Sequence, residues 1–298
     1  MPRALMTALL LAAAGTSSAA ERKVTVLVEA RDALKASVLA PLRKAFPGAD
    51  ALRVREFESS ETADPIRRGR LLSVLQNSEL LVAVGDPATE LVLGEIEDVP
   101  IYFVGGSLVS GSRLASPSVA GILSYDVDGL LDAVGRLWSG RLGLAFTPGY
   151  EAVAAAVRSG AKARGFAVVE RRIASQKEIP SAVRELLERS QALWVVGDPL
   201  LARGAGFQFL VERSLSRRVP IVAAGPWEVR RGAFVTSEPA ADALGAEAAG
   251  AVKSLAAGRE LPARVRTAPP GGTVVYNGAL AEKWGLRLPG GAAWRVLH

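Results

Sequence analysis

Two aspartates in this sequence stand where a carboxylate could hold a positively charged ligand. Asp198 ends the run Leu193-Trp-Val-Val-Gly-Asp-Pro199, and Asp86 ends Leu81-Val-Ala-Val-Gly-Asp-Pro87. Each follows a short apolar run and a glycine, the pattern of a strand that stops at a turn. A carboxylate there can accept charge-assisted hydrogen bonds from an ammonium. Aspartate before proline is also a helix-start signal, so capping competes with ligand contact at both positions, and at Asp86 capping is the favoured role. Thr89 belongs to the same turn as Asp86. Arg31, in Glu29-Ala-Arg-Asp32, could offset the acids or grip a ligand carboxylate with its planar fork. Two aspartates on one cleft repel unless a cation lies between them, which favours an amine or cationic amino acid over a simple anion.

Aromatic residues occupy comparable places. Tyr150 follows an apolar run in Thr147-Pro-Gly-Tyr, and Trp227 follows Gly225-Pro226. Rings at such turns stack on planar ligands or cations; packing on a neighbouring helix is the alternative for each. Ser107, Ser124 and Tyr125 are weaker candidates. Trp194, within an apolar run, and Trp138, on an amphipathic stretch, read as structural.

Other chemistry is excluded by composition. There is no cysteine, and the one histidine is His298, the last residue. A thiolate nucleophile, a disulfide, a Cys-bound metal and a Ser-His-Asp triad therefore have no material to form from. Neither Gly-x-Gly-x-x-Gly nor Walker spacing occurs, and no Gly-x-Ser-x-Gly elbow is present. The expectation is a binding protein with no enzymatic activity and no cofactor. Thirty-six basic residues, seven of them lysines, are scattered among thirty acidic ones. No basic stripe with interleaved aromatics emerges, so nucleic acid is not an expected partner.

The amino-terminal residues speak for export. Arg3 precedes an apolar run from Ala4 to Ala14, and Ser18-Ala19-Ala20 places small residues before Glu21. That is the pattern of a cleaved signal peptide over residues 1–20. The apolar run is too short for a membrane span, which needs about 20 residues. Without cysteine no lipid can be attached at the cut, so a free periplasmic protein is expected.

The elements that must position the candidates alternate regularly. Strands are predicted at Lys23–Glu29, Leu52–Phe57, Leu80–Val84, Pro100–Val104 and Val119–Ser124. A second series covers Leu142–Phe146, Ala167–Arg171, Leu193–Val196, Pro220–Ala223 and Ala233–Val235. Helical periodicity fills the gaps, as in Asp32–Ala45, Pro65–Gln76, Tyr150–Arg164, Lys177–Arg189, Gly206–Arg217 and Ala240–Ala257. Such β-α-β alternation implies parallel sheets covered by helices. One unit occurs twice: a strand, a Gly-Asp-Pro turn, a helix, then Val99-Pro-Ile and Val219-Pro-Ile strands ending at Gly105 and Gly225. The fold class predicted is α/β, with two Rossmann-like lobes joined by a hinge. Ligands of open α/β sheets sit outside the strand carboxyl ends, so two such lobes would share one cleft and close on it.

With these residues in view, the chain resembles the ABC-transporter substrate-binding family, whose members include aromatic-amino-acid binders. Leu81 to Pro100 is similar to the family's strand, Gly-Thr-Pro-Ala turn, helix and "IPIVF" strand. Ser118-Val-Ala-Gly-Ile122 resembles its "NVTGV" segment, and Leu193–Pro199 its "LYIPTDN" or "LWLLPDP" turn. Pro220-Ile-Val, Arg231-Gly-Ala-Phe and Tyr276-Asn277 with Ala281-Glu-Lys-Trp-Gly-Leu-Arg-Leu-Pro289 continue the likeness in order. The resemblance implies a fold like type I periplasmic binding proteins, with three crossings between lobes. One lobe would comprise residues 21–123 and 239–268, the other 124–238 and 269–298. It further implies binding of a small molecule, an amino acid or another small amine, and its delivery to an ABC permease in the inner membrane; a monomer that closes on its ligand is the expectation. A sensory protein that reports ligand to a membrane partner is the alternative. The chain departs from the family at Glu29-Ala-Arg-Asp32 and at Asp86, where relatives commonly carry threonine, so the family's ligand preference does not carry over directly.

Overall fold

Short apolar runs become strands and amphipathic stretches become helices in near-strict alternation. The computed structural model describes residues 22–48, 50–288 and 294–297. The predicted signal segment, Pro289 of the terminal signature and His298 lie outside the described residues.

The chain begins with β1 (Val24–Glu29), α1 (Lys35–Ala45), β2 (Leu52–Phe57), α2 (Ser59–Ala63) and α3 (Pro65–Gln76). It continues through β3 (Leu80–Val84), α4 (Gly85–Glu95), β4 (Ile101–Gly106), α5 (Gly111–Ala115) and β5 (Val119–Leu123). A second series follows, from α6 (Val127–Leu137), β6 (Arg141–Phe146), α7 (Glu151–Ala163) and β7 (Ala167–Arg172) to α8 (Ile179–Arg189) and β8 (Ala192–Val195). Next come α9 (Pro199–Ala202), α10 (Gly204–Arg217), β9 (Ile221–Val222), α11 (Pro226–Arg230) and β10 (Val235–Glu238). The chain then returns with α12 (Ala241–Ala256) and β11 (Val265–Arg266), and ends in β12 (Thr273–Asn277), α13 (Gly278–Trp284) and β13 (Trp294–Leu297).

Two sheets result. The first has the order β11-β5-β4-β3-β1-β2 and the second β13-β12-β10-β9-β8-β6-β7. Every pairing in the first is parallel, and the second is parallel except between β10 and β12. Parallel strands are buried on both faces, which explains why β3, β4 and β5 read as continuous apolar runs. The chain passes between the sheets three times, after β5, β10 and β11. The crossings lie side by side: the Ala268 amide donates to the Tyr125 carbonyl at 3.0 Å.

One core cluster lies between the first sheet and helices α1 and α12, around Val26, Leu42, Val82 and Leu244. The other runs from the opposite face of that sheet across the interlobe contact into the second lobe, through Val109, Tyr125, Tyr150 and Trp194. The second lobe also carries an aromatic cluster. Phe234 meets Trp138 edge-on at 5.1 Å and stacks with Trp284 at 5.6 Å, while Tyr276 stacks on Trp294 at 4.9 Å.

Two local expectations differ from what forms. The strand expected at Ala233–Val235 begins only at Val235, because the amides of Arg231, Gly232 and Ala233 turn back to carbonyls of α11. Asp86 does not cap a helix: α4 starts one residue earlier, at Gly85, and its end has no side-chain cap. The repeated Gly-Asp-Pro is therefore two different turns. Gly85 takes φ +77°, with the Asp32 carboxylate where its Cβ would lie, whereas Asp198 caps α9 through Leu200.

Candidate ligand-binding cleft

The carboxyl ends of both sheets meet. From the first lobe come the turn at Asp86 after β3, the Ser107–Gly111 segment after β4 and Ser124 after β5. From the second come Thr147–Tyr150 after β6, Gly197–Asp198 after β8 and Gly225 after β9.

The two sets touch backbone to backbone. The Val109 amide donates to the Gly197 carbonyl at 2.8 Å. A Cβ added at Gly111 would fall on the Pro148 carbonyl oxygen, one at Gly149 on the Gly111 carbonyl, and one at Gly197 on the Ser107 carbonyl. Only glycine permits so close an approach.

Asp198 is 6 % exposed and fully engaged. It accepts hydrogen bonds from the Gly111 amide at 2.7 Å, the Thr147 hydroxyl at 2.8 Å and the Leu200 amide at 2.7 Å. The first of these crosses between the lobes. Tyr150, wholly buried, places its hydroxyl 2.9 Å from both the Val109 and the Gly197 carbonyls, so it too ties one lobe to the other. Burial raises its pKa well above the usual tyrosine value.

Asp86 is exposed, and its carboxylate accepts from the Ser107 amide at 2.5 Å and the Ser107 hydroxyl at 2.6 Å. Thr89 is buried, and its hydroxyl has no partner among the described residues. Burial also raises the pKa of the neighbouring Asp32, with Asp86 and Glu29 adding to the effect and the Leu34 amide opposing it. Asp198, Tyr150, Asp86, Ser107 and Thr89 are thus brought to one region. Among the described residues no hydrogen bond joins Arg31 or Trp227 to this group, although each adjoins a residue, Asp32 or Glu228, that faces Asp86. Arg31 is exposed at the end of β1. Trp227 is 38 % exposed, leaning on Phe207 at 6.0 Å with the Arg231 guanidinium 4.7 Å from its ring.

Three participants had no sequence signal. Arg203 reaches across to Glu90, with guanidinium nitrogens at 2.7 and 2.9 Å from its two oxygens. That bond lowers the Glu90 pKa. Glu228 lies in the first turn of α11, where an acid ordinarily faces solvent; here it is 1 % exposed. Arg203 and Glu90 are solvated, and such pairs contribute at most about 1 kcal/mol. Arg203→Ala should therefore lower the melting temperature by no more than a few degrees, measured by calorimetry.

The space left between the loops is small, about 160 Å³ beside Thr89, Glu90, Val109, Arg113, Pro199 and Arg203. A wider depression of about 640 Å³ lies away from these loops, at the opposite end of the first sheet under Arg22, Arg259 and Arg264. The loops therefore meet as a tightly packed, polar and acid-rich seam.

Comparison with known proteins agrees with this architecture. No curated protein matches the sequence significantly. Among solved structures, the ABC domain from Streptococcus pneumonia in complex with L-Trp is 17 % identical. The match covers 92 % of this chain and 100 % of that one, with a TM-score of 0.53. A conserved domain protein from Vibrio cholerae is 18 % identical over 92 % of this chain and 99 % of that one, with a TM-score of 0.52. At such identities the likeness establishes the fold, two α/β lobes like those of type I periplasmic binding proteins. The model of the family described as ABC transporter substrate binding protein matches residues 70–289, most of the chain. On that match and this fold, the protein belongs to the ABC transporter substrate-binding family.

Proposed function

We propose that this protein is the periplasmic receptor of an ABC importer, released by cleavage after residue 20, that closes its lobes on a small molecule. It carries out no chemical conversion and acts as a monomer, handing its ligand to an inner-membrane permease. Residues 21–123 and 239–268 act as one lobe and 124–238 with 269–298 as the other. The supporting observation is the seam itself. Loops from the carboxyl ends of two parallel sheets meet through Asp198, Tyr150 and glycine backbone, with three adjacent crossings as the hinge. Asp198 and Tyr150 are then closure residues, while Asp86, Ser107 and Thr89 stay close enough to line the ligand. Arg31 and Trp227 would take part only at the rim. An amino acid, aromatic or cationic, or another small amine is the ligand class this acid-rich seam favours.

Thermal unfolding of the purified protein against amino acids, amines, purines and sugars tests the reading. Ligand at a hundred times its dissociation constant adds about 2.7 kcal/mol. A melting shift confined to one chemical class is the expected result. No shift from any member, on protein freed of carried ligand by unfolding and refolding, would refute it.

A further inference from the structure

The seam contains a buried acid that no salt bridge pairs among the described residues. Glu228 is 1 % exposed, and neither carboxylate oxygen meets a donor in full hydrogen-bond geometry among the described residues, although its own amide and that of Gly225 lie near enough to favour the charged form in part. The groups facing it come from four elements. Asp86 reaches it from α4, Arg203 from the start of α10, Tyr125 from the segment after β5, and the Gly225 amide from the entry to its own helix. Ser107 of the first lobe closes the other side: a Cβ at Gly225 would lie 3.2 Å from the Ser107 hydroxyl and 3.3 Å from a Glu228 oxygen. The Tyr125 hydroxyl is buried too, near the Gly197 backbone but without a partner in full hydrogen-bond geometry among the described residues.

A buried carboxylate without a partner destabilises a fold, and an apolar residue would serve α11 better. Its surroundings make the cost larger. Asp86, Glu90 and Asp198 stand at the same seam, against Arg203, whose guanidinium is already bonded twice to Glu90. Arg113 is turned to the Ile96 carbonyl. The chain as a whole has a net charge of +6, yet its interlobe seam is acidic. What is missing is one positive charge carried on N–H donors.

We infer that Glu228 is the charge-selecting residue of the cleft: closure requires it to be neutralised, either by a proton or by a ligand bearing a single ammonium or guanidinium. The ligand half of this rests on the receptor reading above; the closure half does not.

The sign follows from linkage. Burial first, and Asp86 after it, push the Glu228 pKa up to about 7 with the lobes closed, from an ordinary 4.5. A carboxyl with the higher pKa in the closed form takes up a proton on closing. Closure is then fully favoured below the ordinary value, where the group is protonated in both forms, and is lost as pH rises through about 7. Across that window the closing equilibrium should fall up to about a hundredfold. Above it, a ligand cation does what the proton no longer can.

Small-angle scattering on the ligand-free protein at pH 5.5 and pH 8.5 reads closure directly. The wild type should expand at the higher pH, and Glu228→Gln should stay compact at both. Equal dimensions at the two pH values, or a Glu228→Gln protein that expands like the wild type, would overturn the inference. Melting shifts at the higher pH with tyramine, para-ethylphenol and para-hydroxyphenylpropionate, and with butylamine, butanol and butyrate, then test the ligand. Stabilisation should come from the amines alone and fall at least tenfold in affinity in Glu228→Gln. Equal stabilisation by a neutral or anionic member would overturn charge selection. Expansion at high pH with no response to any probe would count against the receptor reading and leave neutralisation of Glu228 supported.

Discussion

Replacing Gly111 by alanine is expected to hold the two lobes apart. Gly111 opens α5 with ordinary backbone angles, so alanine is tolerated within its own lobe and is a better helix former there. All three nearest neighbours of the added methyl lie in the other lobe: the Pro148 carbonyl oxygen, the Thr147 hydroxyl and Asp198. The first is backbone and cannot rotate away. The lobes must separate by more than the reach of a hydrogen bond's tolerance, which breaks the Gly111–Asp198 bond and the Tyr150 bridge together. Scattering should show an expanded particle at every pH, and the ligand-induced gain of about 2.7 kcal/mol at a hundredfold excess should vanish. A variant as compact as the wild type, with its ligand response intact, would sink this account of closure.

The second large effect is expected at Asp198. Truncation to alanine strands the Gly111 and Leu200 amides and the Thr147 hydroxyl in the seam and removes the cap of α9. Buried donors left without acceptors cost about 1–3 kcal/mol each, and some of that is recovered by opening to water, so a loss of roughly 3–5 kcal/mol is expected. For a chain of this size that corresponds to a melting temperature lower by roughly 6–15 °C. Ligand response should disappear with it. Asp198→Asn retains an acceptor oxygen and should fall between the two in calorimetry. An alanine variant that melts within a degree or two of the wild type would show that the three bonds carry little.

The alternation of strands and helices was readable because its signals are local. Apolar runs closed by glycine or proline specify β3, β4 and β8, and periodicity specifies α7 and α8. The Asp-Pro step announced the cap of α9 at Asp198. It could not announce that the same carboxylate also receives Gly111, eighty-seven positions away, or Thr147, fifty-one away. Ser107 holding Asp86 is invisible for the same reason, since Asp86 and Asp198 share an identical local setting. Glu228 is the sharpest case. An acid in a helix's first turn is ordinary, and nothing local announces that Asp86 and Ser107, more than a hundred positions away, come to stand beside it. No strand was expected after Val235, yet β11, β12 and β13 form: β11 and β13 are two to four residues at sheet edges and need little patterning of their own, while β12 lies between β13 and β10.

All five tryptophans stand on one side of the hinge: Trp138, Trp194, Trp227, Trp284 and Trp294 belong to the second sheet and its helices. The first lobe has Tyr102 in β4 but no tryptophan. Tryptophan emission, excited selectively at the red edge of the absorption band, therefore reports one half of the molecule during denaturation, while far-ultraviolet circular dichroism reports both. If the halves melt as one unit the two curves superimpose; if the first lobe lets go early, dichroism falls while emission holds. The protein thus carries its own gauge of how firmly each half depends on the other.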